Sequence, residues 1–153
     1  MKLLQTPFIT LQDVPDEISV AFPIAGCPLK CSGCSYKPFE SSATVELSDE
    51  LYTNLLRHNK GLVTCVIFFG GEWELKRLKE LVAIAKDMGY NVCLYSGVGS
   101  LEQFRKIFKD FTDELDYIKV GSYIKELGGL KSPTTNQRMY FKSTDITYKF
   151  RRM

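Results

Sequence analysis

The sequence has one histidine, one tryptophan and a net charge of only +2. The sole histidine, His58, lies in a helical pattern and reads as a surface helical residue. The near balance of charge, with basic residues spread along the chain, leaves no argument for nucleic acid or an anionic membrane as main partner. The basic ending Lys149-Phe150-Arg151-Arg152 reads as a solvated terminus. No apolar run approaches the ~20 residues of a membrane span. Met1 to Pro7 lacks the apolar core and cleavage site of a signal peptide, so the cytoplasm is the expected location. Thiols stay reduced there, and five cysteines, an odd number, suggest metal or catalysis rather than a disulfide frame. No repeat or low-complexity linker divides the chain, and residues 1–153 are expected to form one domain with one core.

What is present is an alternation of strand and helix patterns. Leu3 to Leu11 suits an edge strand or arm. Ile18 to Ile24 is a strand, with Pro23 at its end because proline cannot donate to the ladder. Ser48 to Asn59 reads as a helix capped by Ser48, with Leu51, Leu55 and Leu56 on one face. Val63 to Phe69 is apolar almost throughout, which suits a strand buried on both faces, as in a parallel sheet covered by helices. Trp73 to Met88 has helical spacing of Leu75, Leu78, Leu81, Val82 and Ala85, with Gly89 just past the end. Asn91 to Tyr95 is a short strand. Ser100 to Gln103 has the form of a capping box, and Leu101, Phe104, Ile107, Phe108 and Phe111 form one buried stripe. Asp116 to Val120 is a further strand. A polar, glycine-rich loop spans 126–137, and 139–142 and 146–150 look like two terminal strands. The expected architecture is α/β with mostly parallel strands, an open partial (β/α) barrel, since a complete barrel takes ~250 residues.

In such folds ligands sit at the carboxyl ends of the strands. Four motifs fall there: Cys27-Pro-Leu-Lys-Cys31-Ser-Gly-Cys34, Gly70-Gly71-Glu72, Ser96-Gly97 and Gly121. The three thiols can converge on one metal centre if the chain between them loops, and Gly26, Pro28, Ser32 and Gly33 favour a loop. Two fillings remain open. A structural zinc wants a fourth ligand from Cys65, Cys93 or His58. A 4Fe–4S cubane takes three thiolates and leaves one iron unclaimed. The ligand count favours the cubane, and Cys65 and Cys93 read as small core residues. The Glu72 carboxylate could hold an ammonium through a charge-assisted hydrogen bond. Thr134 to Arg138 is polar and lies in a loop long for so compact a domain.

The cysteine triple followed by Gly70-Gly71-Glu72 resembles the radical S-adenosylmethionine superfamily. Within it, Val14-Pro15, the span Gly26 to Cys34, and Thr134-Thr135-Asn136-Gln137-Arg138 resemble the anaerobic ribonucleoside-triphosphate reductase activating proteins. The resemblance implies that Cys27, Cys31 and Cys34 hold a 4Fe–4S cluster whose free iron chelates S-adenosylmethionine. It implies that Gly70, Gly71 and Glu72 contact the ammonium of that cosubstrate, with Tyr36 and Ser96 also at the site. It implies an oxidoreductase that installs a glycyl radical on the anaerobic reductase, fed by a one-electron donor such as a flavodoxin. A small radical enzyme acting on a small molecule and a non-enzymatic zinc module are the alternatives. Val120-Gly121 stands where many members of that group have Asp-Gly.

Anaerobic reconstitution is expected to give a brown protein with roughly four iron and four sulfide per chain. Cys27→Ala, Cys31→Ala or Cys34→Ala should each lose that chromophore, and Cys65→Ala should keep it. Tight zinc without iron uptake would refute the assignment.

Overall fold

A computed structural model describes residues 1–26 and 45–152. Cys27, Cys31, Cys34 and Tyr36 lie outside the described residues. The strands are β1 (Lys2–Leu3), β2 (Phe8–Thr10), β3 (Ser19–Pro23), β4 (Val45–Glu46), β5 (Cys65–Phe69), β6 (Asn91–Tyr95), β7 (Tyr117–Val120), β8 (Arg138–Phe141) and β9 (Thr144–Asp145). The helices are α1 (Asp49–His58), α2 (Leu75–Asp87), α3 (Leu101–Phe108) and α4 (Phe111–Glu114), with 3-10 turns at Glu72–Glu74 and Thr147–Arg152. None of these helices is long and apolar enough to cross a membrane.

The main sheet has the order β2-β3-β5-β6-β7-β8-β9. Its four central strands, β3, β5, β6 and β7, are parallel, and β2, β8 and β9 add on antiparallel. The fold is therefore a mixed α/β one around a parallel centre, open at β2 and β9. Their connections place α1, α2 and the α3–α4 pair between successive parallel strands, as the alternating sequence pattern requires.

Side chains alternate across a strand, and the two faces differ. Val20, Phe22, Val66, Phe68, Val92, Leu94, Ile118 and Val120 pack with Tyr52 and Leu56 of α1, Leu78, Leu81, Val82 and Ala85 of α2, Phe104 of α3 and Phe111 of α4. Ala21, Cys65, Ile67, Cys93 and Tyr117 face the other way, against Val14, Leu130, Met139, Ile146 and Phe150. β5 is buried on both faces, as its apolar run leads one to expect, but the described helices cover only one of them. All four helices lie on one face. The second face carries the smaller side chains and is closed by loops and the carboxyl-terminal turn.

On the helical face Phe22, Phe68 and Tyr52 form a ring cluster with centroids 5.2 to 6.1 Å apart. The Tyr52 hydroxyl, fully buried, donates to the Leu81 carbonyl at 2.7 Å and so ties α1 to α2. Ser48 caps α1 by accepting from the Leu51 amide at 3.1 Å, and Ser100 caps α3 by accepting from the Gln103 amide at 3.1 Å.

Three expectations need correction. The Trp73 to Met88 helix begins later, because Gly71 (φ +106°) opens a 3-10 turn and α2 proper starts at Leu75. Ile107 is exposed at 59 % and is not part of a continuous stripe, because Lys109 (φ +48°) breaks the helix and Phe111 starts α4. No strand covers 146–150. The two-residue loop Lys142-Ser143, both with positive φ, turns β8 into the short β9, after which the chain winds into the Thr147–Arg152 turn. That is the geometry of a primed hairpin turn without the usual Asn-Gly.

Below the sheet, at the amino end of β7, Asp116 accepts from the Val92 amide at 2.8 Å and pairs with Lys86 at 2.6 Å. Asp116→Ala leaves that buried amide without an acceptor. It should lower stability by about 2 kcal/mol in urea titration. A change within about 0.5 kcal/mol, the range of an ordinary surface substitution, would show the contact to be dispensable.

Candidate functional site

The site is built by strand ends in register. Pro23, Phe69, Tyr95 and Lys119 are successive Cα partners across β3, β5, β6 and β7. One residue further on, the ladder continues: Ile24 N–H donates to Phe69 O (3.2 Å), Gly70 N–H to Tyr95 O (3.0 Å) and Ser96 N–H to Lys119 O (2.8 Å). The four chains therefore leave the sheet side by side, and Gly26, Gly70-Gly71-Glu72, Ser96-Gly97 and Gly121 share one rim. The convergence inferred from sequence holds for all the described motifs. Gly26, the last described residue before Cys27, lies on that rim.

Trp73 was not singled out from sequence, although it is the chain's one tryptophan and follows Glu72 directly. Its indole N–H donates to the Ala25 carbonyl at 3.1 Å. Its ring fills the space beside two glycines. A Cβ on Gly70 would lie 2.4 Å from Trp73 Cη2, and one on Gly26 3.3 Å from Trp73 Nε1. Gly70 and Gly26 also have φ of +85° and +93°. The missing side chain at Gly70 thus makes room for the indole rather than for a ligand, and Trp73 locks the turn after β5 to the chain entering Cys27.

Glu72 sits above β5. One of its oxygens, Oε2, is buried without a hydrogen-bond partner. Burial pushes its pKa up. The Ser96 hydroxyl, its own main-chain amide and the Lys119 ammonium act in the opposite direction and do not prevail. Ser96 is buried at 1 % exposure, and its hydroxyl also accepts from the Val98 amide at 3.1 Å. Lys119, 7 % exposed, donates to the Gly121 carbonyl at 2.9 Å and lies 5.5 Å from the centre of the Tyr95 ring. Strand alternation could have flagged it: a lysine in an otherwise apolar strand, on the face opposite the helices, one turn of the pleat from the rim.

Thr134 to Arg138 closes onto the same rim. Gln137 Nε2 donates to the Gly121 carbonyl at 3.2 Å, and Asn136 Nδ2 donates to the Ser122 carbonyl at 3.0 Å. Thr134 and Thr135 donate to the carbonyls of Leu127 and Gly128, and Arg138 pairs with Asp145 at 2.8 Å.

The other two cysteines are not ligand candidates. Cys65 and Cys93 are fully buried in β5 and β6, and burial drives both thiols well above their ordinary pKa, the state of an inert core thiol. His58 is exposed at the end of α1. Among the described residues no group of three histidine, cysteine or acidic side chains could hold a metal. Cys27, Cys31 and Cys34, outside the described residues, stay the expected thiolate set, a count that fits a cubane with one iron free.

A family model described as "4Fe-4S single cluster domain" matches residues 18–140. The chain belongs to this 4Fe–4S single cluster domain family. The matched span contains the cysteine triple and everything from β3 to Tyr140 in β8. No curated protein matches the chain, and no solved structure does. The family assigns the iron–sulfur cofactor, and with it the capacity for one-electron chemistry. For the zinc alternative, burial removes Cys65 and Cys93 as a fourth ligand.

The raised pKa of Glu72 has a measurable sign. Above the ordinary carboxyl value of 4.5, the unfolded chain has released this proton while the folded chain still holds it. Stability therefore falls as pH rises toward the raised pKa and stays lower beyond it. Glu72→Gln should raise the thermal midpoint at pH 8, without added ligand, and leave it little changed at pH 4. A lower midpoint at pH 8 would mean that the carboxylate is well satisfied.

Proposed function

We propose that the domain is a radical S-adenosylmethionine enzyme, and that it activates an anaerobic ribonucleoside-triphosphate reductase by generating a glycyl radical on it. The single observation carrying this reading is the unpartnered, buried Glu72 Oε2 on the rim that the cysteine stretch leaves. An unpaired buried acceptor costs about 1–3 kcal/mol. A cationic donor would remove that cost, and the ammonium of S-adenosylmethionine is such a donor. Cys27, Cys31 and Cys34 would hold the cluster through their thiolates. When bound, the cluster supplies one electron to the cosubstrate's sulfonium and so releases methionine and a 5′-deoxyadenosyl radical. The chain's own residues do the rest. Glu72 would orient the amino acid end, Gly70 and Gly71 would present main chain beside it, and Tyr36 and Ser96 would line the site.

The sheet is open at β2 and β9, which fits a partial barrel. The reductase's glycine-bearing segment would reach the site at the rim, with the electron coming from a flavodoxin-like donor in the cytoplasm. The segment Thr134 to Arg138, which carries the likeness to the reductase activases, forms part of this rim through Asn136 and Gln137.

Reduced, reconstituted protein incubated anaerobically with S-adenosylmethionine and the reductase should yield 5′-deoxyadenosine, methionine and a glycyl radical signal by electron paramagnetic resonance. Cleavage without a protein radical would leave a small-molecule radical enzyme as the better reading. No cleavage by fully loaded protein, with or without the reductase, would overturn the radical assignment and leave an electron-transfer domain.

A further inference from the structure

Four buried side-chain polar atoms among the described residues lack a hydrogen-bond partner: Ser19 Oγ, Glu72 Oε2, Thr112 Oγ1 and Asn136 Oδ1. Two are hydroxyls, at the amino end of β3 and in α4, away from the rim. The other two are a carboxyl oxygen, which accepts when Glu72 is ionised, and an amide oxygen, and both lie at the rim. Glu72 follows β5, and Asn136 is docked on the end of β7, two strands along.

The orientation of the Asn136 amide is set by its surroundings. Its Nδ2 donates to the Ser122 carbonyl at 3.0 Å, so a flipped amide would place oxygen against oxygen. Its main chain is fixed as well. A Cβ on Gly121 would come within 3.1 Å of Asn136 O and Gln137 Cα, a packing that only glycine permits there. The neighbouring side chains are all satisfied: Ser132 and Thr134 on Leu127 O, Thr135 on Gly128 O, Gln137 on Gly121 O and Arg138 on Asp145. Asn136 alone in that segment keeps a buried acceptor without a donor. The loop has spent its other polar groups on holding this one in place.

Two strand spacings separate the ends of β5 and β7, about 10 Å. A ligand that satisfies both acceptors carries a donor at each end. One end is cationic, for Glu72. The other is a neutral hydroxyl or amine, since an amide oxygen offers no charge. Between them the rim is the end of β6, and the Val98 carbonyl in the turn after it receives the Gly121 amide at 2.6 Å, which ties that turn to the Asn136 platform. We propose that Asn136 Oδ1 is the acceptor for a hydroxyl or exocyclic amine on the nucleoside end of the cosubstrate. This rests on the S-adenosylmethionine reading above and adds to it a residue and an end.

The two ends can be probed separately on the full-length, cluster-loaded protein by anaerobic calorimetry. Free methionine reports the amino acid end, and 5′-methylthioadenosine reports the nucleoside end. Asn136→Ala should weaken 5′-methylthioadenosine about tenfold, the loss of one hydrogen bond to a buried acceptor, and leave methionine unchanged. Glu72→Gln should do the reverse. Asn136→Asp also loses the donation to Ser122 but keeps an oxygen acceptor, so it should bind the nucleoside better than Asn136→Ala. A purely structural role would make the two equal. Should Asn136→Ala not fold, the wild-type protein still decides. Among the 2′-deoxy, 3′-deoxy and N6-dimethyl forms of 5′-methylthioadenosine, one should bind about tenfold more weakly. Equal binding of all three would overturn the proposal. So would unchanged affinity in Asn136→Ala, or methionine binding with no nucleoside binding, while the reading of Glu72 stands. Failure of methionine, 5′-methylthioadenosine and S-adenosylmethionine alike would overturn both together.

Discussion

Four parallel strands end at the same level. That alignment is the constraint on which the rest depends. It follows from a register in which Pro23, Phe69, Tyr95 and Lys119 are opposite one another, and from amides that keep the ladder going for one more residue. A slip of one residue in any strand would turn its side chains to the wrong face. It would put Phe68 against the loops and Ile67 against the helices, and it would move Glu72 or Ser96 off the rim. The large apolar residues on the helical face and the small ones on the other therefore fix the position of polar groups that never enter the core.

Much of this was legible in the chain. The apolar run Cys65 to Phe69 and the Leu75 to Ala85 spacing give a buried strand and its covering helix directly, because periodicity reports burial. The Ser48 and Ser100 caps were equally plain. The cysteine triple suggested an iron–sulfur cluster through its ligand count, and the family match supports that cofactor. What sequence hid has physical causes. Helix breaks by positive φ at an ordinary residue, as at Lys109, leave no compositional mark. The Lys142-Ser143 turn lacks the glycine that normally announces it. Ile107 looked like core because spacing cannot tell a continuous helix from two short ones. Trp73 and Gly70 are informative only together, once the indole is seen to occupy the space where a side chain would be. Lys119 and Asn136 acquire meaning only from their neighbours across the sheet, which are far away in sequence.

The rim carries groups that weaken the fold. Glu72 is a buried carboxyl with a raised pKa, and Asn136 holds an unpaired acceptor, whereas at the opposite end of the sheet Asp116 pairs with Lys86 and the Val92 amide. Of the four unpartnered atoms, both carbonyl-type oxygens lie at the rim end of the strands. Such an asymmetry is what a site prepared for a ligand looks like before the ligand arrives.

The amino-terminal arm bears on the metal centre without supplying a ligand to it. β1 pairs with β4 through Lys2↔Glu46 and Leu3↔Val45. On its other side Leu3 bridges Ile24, Ala25 N–H donates to Lys2 O, and Leu4 N–H donates to Pro23 O. The chain on either side of residues 27–44 is therefore held two strand spacings apart, about 10 Å, whatever lies between. Bringing the ends of a free segment together has an entropic cost that rises with the logarithm of its length. Here β1 offsets that cost by pairing with the chain on both sides, so three residues of the amino-terminal arm, Lys2 to Leu4, set the spacing at which the segment carrying the cysteines leaves and rejoins the fold.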